Sequence, residues 1–426
     1  MVVFFIVFIV LLAIGMPIAF SLAIPTVCYL LVTHQTEFFP VLAQQAYAGA
    51  NSFTLMAAPL FLLAGEFMNI SGITDALEEF CDLILGRLRG GLAYVNIMGS
   101  TIFAGISGSA ISDVMSIGQI EIKTMTEQGY PVEYAAALTV SSSVVGPIIP
   151  PSIMAAIYCG LTGCSLGGMF AAGYLPGLLI SSALAILVFF QAKKYNFPKR
   201  TYRYTIKEAK SIIVRGSTAL ALPVIMVGGM LGGFFTPTEA AIVGCLYALI
   251  LGLIKREIHF RDIIPTIIHT MKNSGALLLL ISFAYILAWT LSYENISVRL
   301  GNVVMSVVSN PTVFLIIVMC LVLIAGMWME VGTIIVVLVP VLYPVALQMG
   351  IHPMQFGLVI MLAASMGVST PPVGVCLYAA ASIANIPANK MYSHILRFLA
   401  VQIVAVLLVI LFPGICLTLP KLFGFI

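Results

Sequence analysis

The chain has 426 residues, of which only 8% are charged: 19 are basic and 16 are acidic. Soluble domains carry about 25% charged residues, whereas 61% of the residues here are hydrophobic and the mean hydropathy is +1.13. This composition excludes a soluble globular enzyme, a disordered protein and a nucleic-acid-binding protein. We therefore expect an all-α polytopic membrane protein in a lipid bilayer. At about 20 residues per spanning helix, the length allows roughly a dozen membrane segments.

Apolar segments predict helices along the whole chain. In order, these segments are 2–32 (interrupted at Pro17), 51–70, 91–106, 110–122, 131–146, 150–165, 168–191, 217–234, 237–254, 274–292, 311–326, 331–348, 354–367, 371–384 and 390–412. The first segment lacks a basic n-region and a cleavage site, so we expect it to be retained as a membrane segment. Several segments are shorter than the roughly 20 residues that a span needs.

The short segments occur in consecutive pairs, which indicates discontinuous elements. Re-entrant helical hairpins are predicted over 91–127 and 311–348, and helices broken in the middle over 131–165 and 354–384. Residues 73–88 instead place apolar and acidic side chains on opposite helix faces, which is typical of an amphipathic helix at the membrane interface. Residues 295–308 are a weaker counterpart.

The basic residues predict the topology. When the basic linker 193–216 is placed in the cytoplasm and both hairpins return to their own side, 17 of the 19 basic residues lie inside. Only Arg299 and Lys421 then lie outside. This bias follows the positive-inside rule, but it does not determine the location of the N-terminus.

An internal repeat divides the chain at the basic linker. Pro17 matches Pro237, Gly146 matches Gly367, and Pro150 matches Pro371, at offsets of 220 to 221 residues. In the predicted topology the first hairpin enters from the cytoplasm and the second from outside. Residues 1–192 and 217–426 are therefore predicted to be inverted repeats, a feature of many secondary transporters.

Both repeats place Gly, Ser, Thr and Pro at a hairpin turn and at a helix break. Prolines in a helix remove amide donors and leave upstream carbonyls without helical partners. Such carbonyls are costly in lipid unless a ligand satisfies them, and transporters satisfy them with sodium ions. We therefore predict two Na⁺ sites, one per repeat.

The predicted Na⁺ ligands are mostly backbone carbonyls. The first site is expected to use Ser107, Ser109, Gly146, Ile149 and Pro151, and the second Gly326, Glu330, Gly367, Thr370 and Val373. Further oxygens near the sites or the substrate come from Ser112, Asp113, Ser152, Thr333 and Ser369. The alternative is that each Pro-Pro is only a kink and each Gly/Ser cluster only a packing surface. The occurrence of both motifs twice, at matched positions, favours ion sites.

Ionisable residues within the membrane are functional candidates. In this chain we identify Glu66, Asp113, Glu239 and Glu330. Asp113 and Glu330 follow the hairpin turns, whereas Glu66 fits an interfacial acid and Glu239 a helix cap. No Lys or Arg lies deep in the hairpins, so an anionic substrate would be held by helix N-termini and hydroxyl groups.

Seven sequence segments resemble the large (M-type, DctM) membrane subunit of tripartite ATP-independent periplasmic (TRAP) transporters. In chain order they are GMPIAFSLA (15–23), APLFLLAGEFM (58–68), FAGISGSAISD (103–113), GPIIPPS (146–152), GYLPGLL (173–179), TPTEAAIVG (236–244) and STPPVG (369–374). The second hairpin tip, GMWMEVG, is less distinctive.

The resemblance implies a sodium-driven symporter of the bacterial inner membrane with an elevator mechanism. It also implies two partners: a small four-helix membrane subunit, and a soluble periplasmic protein that delivers a carboxylated substrate. Sialic acids, other sugar acids, keto acids and C4-dicarboxylates are the substrates implied, with a lean toward the sialic acid branch.

Three other functions compete with this one. The HExxH motif and the GK[ST] phosphate loop do not occur in the sequence, which argues against metal-dependent intramembrane proteolysis and ATP-driven pumping. A channel also uses discontinuous helices. A stand-alone ion-coupled anion transporter of related fold shares the hairpin-and-break design, and differs in needing no binding protein.

Overall fold

The structure, a computed structural model, describes residues 2–199, 202 and 204–426. The side chains of six residues within helices are outside this description: Val2, Phe53, Thr54, Ile106, Ser107 and Ser297. The described residues form helices joined by short turns and contain no strand. The predicted all-α fold class is therefore confirmed.

Ten helices precede the basic linker. They are α1 (Val2–Ala13), α2 (Ile18–Val32), α3 (Phe39–Ala50), α4 (Phe53–Ile70), α5 (Ile73–Leu85), α6 (Gly91–Ser107), α7 (Ala110–Glu127), α8 (Val132–Ser142), α9 (Ile153–Thr162) and α10 (Leu166–Lys194).

Ten more follow it. They are α11 (Ile206–Leu231), α12 (Pro237–Lys255), α13 (Phe260–Tyr293), α14 (Ile296–Val307), α15 (Pro311–Gly326), α16 (Val331–Gln348), α17 (Pro353–Gly367), α18 (Val375–Ala384), α19 (Tyr392–Leu411) and α20 (Gly414–Leu422). Among the described helices, six are long and apolar enough to cross a membrane, or up to eight if two bent pairs count as single spans.

Both predicted hairpins and both broken helices are present. The first hairpin pairs α6 with α7 and the second pairs α15 with α16; the broken helices are α8 with α9 and α17 with α18. Each break contains a cis peptide bond between its paired prolines. The same order of elements thus occurs in both halves, in agreement with the repeat read from the sequence.

Helix starts were the weakest part of the sequence interpretation. Helix α11 begins 11 residues before the apolar segment that predicted it, and α13 begins 14 residues before its own. Polar caps determine both starts: Thr205 and Glu208 form a capping box at α11, and His259 and Asp262 do so at α13. The hydropathy pattern does not predict these helix starts, because the capping residues and the first turns are polar. Helices α3 and α20 were not predicted.

The two halves pack reciprocally around a buried centre. Helix α7 of the first hairpin packs on α18 of the second broken helix, and α16 of the second hairpin packs on α9 of the first. Two copies related by a twofold axis produce such an exchange. The first halves of the broken helices lie at the centre: α17 is buried from Met354 to Gly367 and α8 from Tyr134 to Ser142. Both hairpin tips therefore face the breaks of this central pair.

Helix α5 has one buried face, as predicted for the amphipathic segment, although that face is shorter than predicted. Ile73 and Leu77 are fully buried, whereas Ile84 is 50% exposed. Side chains that follow α10 in the chain contact the acidic face of α5. The Tyr204 hydroxyl donates to Asp82 at 2.8 Å, and Arg215 forms an ion pair with Glu79 at 2.8 Å. The predicted linker 193–216 thus includes the end of α10 and the start of α11, and it anchors α5.

Burial makes the acidic face of α5 sensitive to pH. Desolvation, with the nearby charges of Asp75, Asp82 and Glu79, raises the pKa of Glu78 to about 7. Because this pKa lies above that of the unfolded chain, the protein is more stable when Glu78 is protonated and loses that stability as pH rises through about 7. We expect Glu78→Gln to raise the melting temperature at pH 8 and to leave it unchanged at pH 4. Equal melting shifts at both pH values would contradict this assignment.

Candidate ion and substrate site

The first hairpin tip lies directly on the first helix break. Gly108 ends α6 in the left-handed conformation, with φ of +59°, which a glycine adopts without strain. A Cβ added at Gly108 would lie 3.0 Å from the Ile153 nitrogen and 3.3 Å from the Pro151 carbonyl oxygen. The turn and the break therefore approach each other through backbone atoms.

Gly146 completes this contact from the other side of the break. A Cβ at Gly146 would lie 3.2 Å from the Ala110 nitrogen and 3.2 Å from the Ser109 carbonyl carbon. Gly105 approaches the Pro150 carbonyl oxygen in the same way, at 2.9 Å from an added Cβ. The structure thus brings Ser109, Gly146 and Pro151 of the predicted first site together.

The second hairpin meets the second break through two glycines. A Cβ at Gly326 would lie 2.7 Å from the Gly367 Cα, and one at Gly367 would lie 2.6 Å from the Gly326 Cα. The Gly374 amide donates to the Met327 carbonyl at 3.0 Å, which joins the break to the hairpin tip. Gly326 and Gly367, two predicted members of the second site, are therefore in contact.

Hydroxyl groups line both breaks. Ser152 caps α9: its hydroxyl accepts from the Ala155 amide at 3.1 Å and donates to the Pro147 carbonyl. Thr370 donates to the Met366 carbonyl at 2.6 Å, and Ser369 donates to the Val140 carbonyl at 3.3 Å. The bond from Ser369 links the break of one repeat to α8 of the other, so the two predicted sites share one polar region.

A narrow cleft, with a cavity volume of about 10 Å³, lies where both tips and both breaks meet. Its walls come from both repeats and consist of Ser109, Ala110, Ile111, Pro147, Met154, Glu330, Val331 and Val368. Glu330 precedes α16 and is exposed, so its carboxylate borders the cleft. Pro147 and Val368 were not among the predicted site residues; their positions immediately after Gly146 and Gly367 were the available signal.

The remaining predicted residues lie at varying distances from this centre. Ile149 is buried with its side chain against Gly177 of α10, and Val373 is 36% exposed at the second break. Ser112 is half-buried in the first turn of α7, and Thr333 is buried in the first turn of α16. The side chain of Ser107 lies outside the described residues.

Asp113 is the buried acid of the site. It lies in the first turn of α7, is 1% exposed, and has no hydrogen-bond partner on either carboxylate oxygen. The partial positive charge at a helix N-terminus favours a carboxylate there. A hard cation prefers carboxylate, carbonyl and hydroxyl oxygens. The donors gathered at the first tip and break therefore fit such an ion.

One buried acid was missed in the sequence. Glu121 on α7 is 2% exposed and also lacks partners on both oxygens. It lies eight residues after Asp113, close to two helical turns, which was the available signal. Glu239 forms a capping box with Thr236, as predicted, and Glu66 lies 3.6 Å from His269.

Paired hairpins and broken helices whose tips meet at one cleft define a polytopic membrane transporter. A sequence model of the "Tripartite ATP-independent periplasmic transporter, DctM component" matches residues 5–415. The chain therefore belongs to the DctM family of TRAP transporter large permease subunits, which take part in solute uptake together with a periplasmic binding protein.

Several characterised relatives align over nearly the whole chain. The sialic acid TRAP transporter large permease SiaM of Vibrio cholerae is 36% identical over 96% of both chains. The C4-dicarboxylate TRAP transporter large permease DctM of Rhodobacter capsulatus is 31% identical, again over 96% of both. The sialic acid TRAP transporter permease SiaT of Haemophilus influenzae is 32% identical over 98% of this chain and 67% of its own length.

A solved structure shares the fold. The YdaH transporter of Alcanivorax borkumensis superposes with a TM-score of 0.66 at 13% identity, over 92% of this chain and 89% of that one. At this identity the likeness concerns the fold alone.

Proposed function

We propose that the chain drives sodium-coupled uptake of a carboxylated organic solute across the bacterial inner membrane. The observation that carries this proposal is the convergence of both hairpin tips and both helix breaks on one cleft, with Asp113 buried one helical turn after Ser109 of that cleft. The backbone packs closely at Gly146 in the first repeat and at Gly367 in the second, which supports one ion position in each repeat. Sodium sites in secondary transporters are built from such unwound segments.

Sodium is favoured over a transition metal by the chemistry of the donors. Among the described residues, no group of three or more His, Cys, Asp or Glu side chains is arranged to hold a metal. The oxygens available are carbonyls, hydroxyls and the Asp113 carboxylate, which suit a hard cation. Two bound cations would also offset the charge of an anionic substrate in a site of low dielectric constant.

The helix breaks and the relatives support the substrate class. Helix α9 begins at the first break and α18 at the second, so each break offers a helix N-terminus to a carboxylate. The residues that line the cleft include no Lys or Arg. Relatives named for sialic acid and for C4-dicarboxylates both carry carboxylates. We therefore assign a carboxylated solute, with sialic acid as the first compound to test.

The partners and the movement complete the proposal. A small membrane subunit would pack on this chain, and a periplasmic binding protein would deliver the solute to its outer face. The two hairpins and the two broken helices form the moving unit of an elevator, because they pack on one another around α8 and α17. Helices α2, α3, α4, α12 and α13, which also pack on one another, would form the scaffold.

Reconstitution in liposomes tests this function. We expect uptake of radiolabelled sialic acid or succinate only when an inward sodium gradient, the small subunit and the matching binding protein are all present. Potassium replacing sodium is the matched control, and counterflow separates a carrier from a channel. Robust uptake by this chain alone would show a stand-alone transporter, and uptake without exchange would show a channel.

A further inference from the structure

Glu121 has an unusual environment for an acidic side chain. It is 2% exposed in the membrane-embedded first hairpin, and neither carboxylate oxygen has a hydrogen-bond partner. Gly99 of α6 makes room for it, since a Cβ at Gly99 would lie 2.9 Å from the Glu121 Oε1 atom. A buried carboxylate without donors is strongly disfavoured. The group must therefore be neutralised.

The polar side chains between α6 and α8 do not supply donors to a carboxylate. Their hydrogens are used in a chain: Ser100 donates to Ser142 at 3.0 Å, Ser142 to Asn96 at 2.8 Å, Asn96 to Thr139 at 2.7 Å, and Thr139 to the Ala135 carbonyl at 3.0 Å. Because each hydroxyl hydrogen and one N–H of Asn96 are already used within this column, the column mainly offers acceptor lone pairs. It therefore suits a protonated acid better than an anion.

The charged and titratable groups around Glu121 do not supply a positive charge. The titratable groups near enough to interact electrostatically with Glu121 are Glu78 and Cys81 of α5 and Asp113 of its own helix. Cys376 of α18 lies beside Asp113. Helices α6 and α8 face α7 with the uncharged column described above. Lys123, on the same helix, is exposed.

Asp113 and Glu121 differ in their position on α7. Asp113 lies in the first turn, where the helix dipole favours an anion. Glu121 lies two to three turns further on, beyond the reach of that dipole. The dipole of α7 therefore stabilises the negative charge of Asp113 at its start, but it does not stabilise a negative charge on Glu121.

We propose that Glu121 is a proton-binding site, in which the carboxyl group holds a proton at neutral pH as a neutral acid. It is a cation position separate from the two Na⁺ positions at the hairpin tips. When Glu121 is protonated, the hairpin can move within the membrane without carrying an unpaired negative charge through it. The assignment does not depend on the transported solute or on sodium.

Infrared difference spectroscopy of the purified full-length chain tests this site. We expect the wild type at pH 7 to show a carbonyl stretch of a protonated carboxylic acid that Glu121→Gln lacks. The matched control is Glu127→Gln, since Glu127 is an exposed acid on the same helix; it should keep the band. An identical band in the wild type and in Glu121→Gln would overturn the proposal.

A second variant covers the case in which Glu121→Gln does not fold. Gly99→Ala keeps the acid but places a methyl group 2.9 Å from the Glu121 Oε1 position. If Glu121 is the protonated group, the band shifts in this variant; an unshifted band contradicts the assignment.

Thermal melting gives an independent readout. In a Glu78→Gln background, which removes the neighbouring titration, the chain should lose melting temperature as the pH rises and Glu121 ionises. Adding Glu121→Gln should reduce that loss. A loss of the same size in both proteins would refute the proton site.

Discussion

Replacing Gly367 with alanine should reduce uptake about tenfold or more while the protein stays folded. The added Cβ would lie 2.6 Å from the Gly326 Cα and 2.7 Å from the Leu323 carbonyl oxygen. Both are backbone atoms, so no flexible side chain can yield and the hairpin must shift away from the break. Initial rates of solute uptake in proteoliposomes measure the loss, and size-exclusion chromatography monitors folding.

Two further variants control this prediction. Gly275→Ala on α13 meets no atom within 4 Å and should retain wild-type uptake. Gly146→Ala should have a smaller effect than Gly367→Ala, because its nearest neighbours would be 3.1 to 3.2 Å away. Uptake by Gly367→Ala within twofold of the wild type would show that the glycine pair only eases helix packing, as the kink interpretation of the sequence holds.

Asp113→Asn should raise the sodium concentration that half-saturates uptake by about tenfold. The substitution keeps the size of the side chain and removes a buried negative charge, which in a low-dielectric site attracts a cation strongly. Sodium titration of uptake rates measures the effect, and the maximal rate at saturating sodium should change less than the half-saturation.

Exposure predicts the order of effects among the acids. Glu330 borders the cleft but is less buried than Asp113, so Glu330→Gln should weaken sodium dependence less than Asp113→Asn. Glu127→Gln is the matched control on α7 and should leave the titration unchanged. An unaltered half-saturation in both Asp113→Asn and Glu330→Gln would remove these acids from the ion sites.

Much of the architecture could be predicted from the sequence, because a membrane-spanning chain needs long apolar helices and tolerates breaks only at particular residues. The hairpin ranges 91–127 and 311–348 agree with the helix pairs in the structure to the residue. Glycine turns and paired prolines interrupt an otherwise continuous apolar pattern, so these boundaries stand out. Helix starts that depend on polar caps, such as those at Thr205 and His259, do not interrupt that pattern and were missed.

The site was only partly predictable, and for a related reason. Gly146, Ser109 and Pro151 were recognised because each occurs at a turn or break, and they are brought together. Pro147 and Val368 line the cleft, and their only signal in the sequence was their position immediately after Gly146 and Gly367. Glu121 was passed over because a single acid in a mostly apolar segment does not reveal whether it faces a polar surface or the interior.

The sequence by itself determined the membrane environment, the order of hairpins and broken helices, and the repeat. Each depends on local chemistry: apolar length, backbone freedom at glycine and missing amide donors at proline. Only the tertiary structure decided that Gly326 lies on Gly367, that Ser369 of one repeat bonds to Val140 of the other, and that Glu121 is sealed from solvent. These are contacts between segments distant in the chain, which no local sequence pattern specifies.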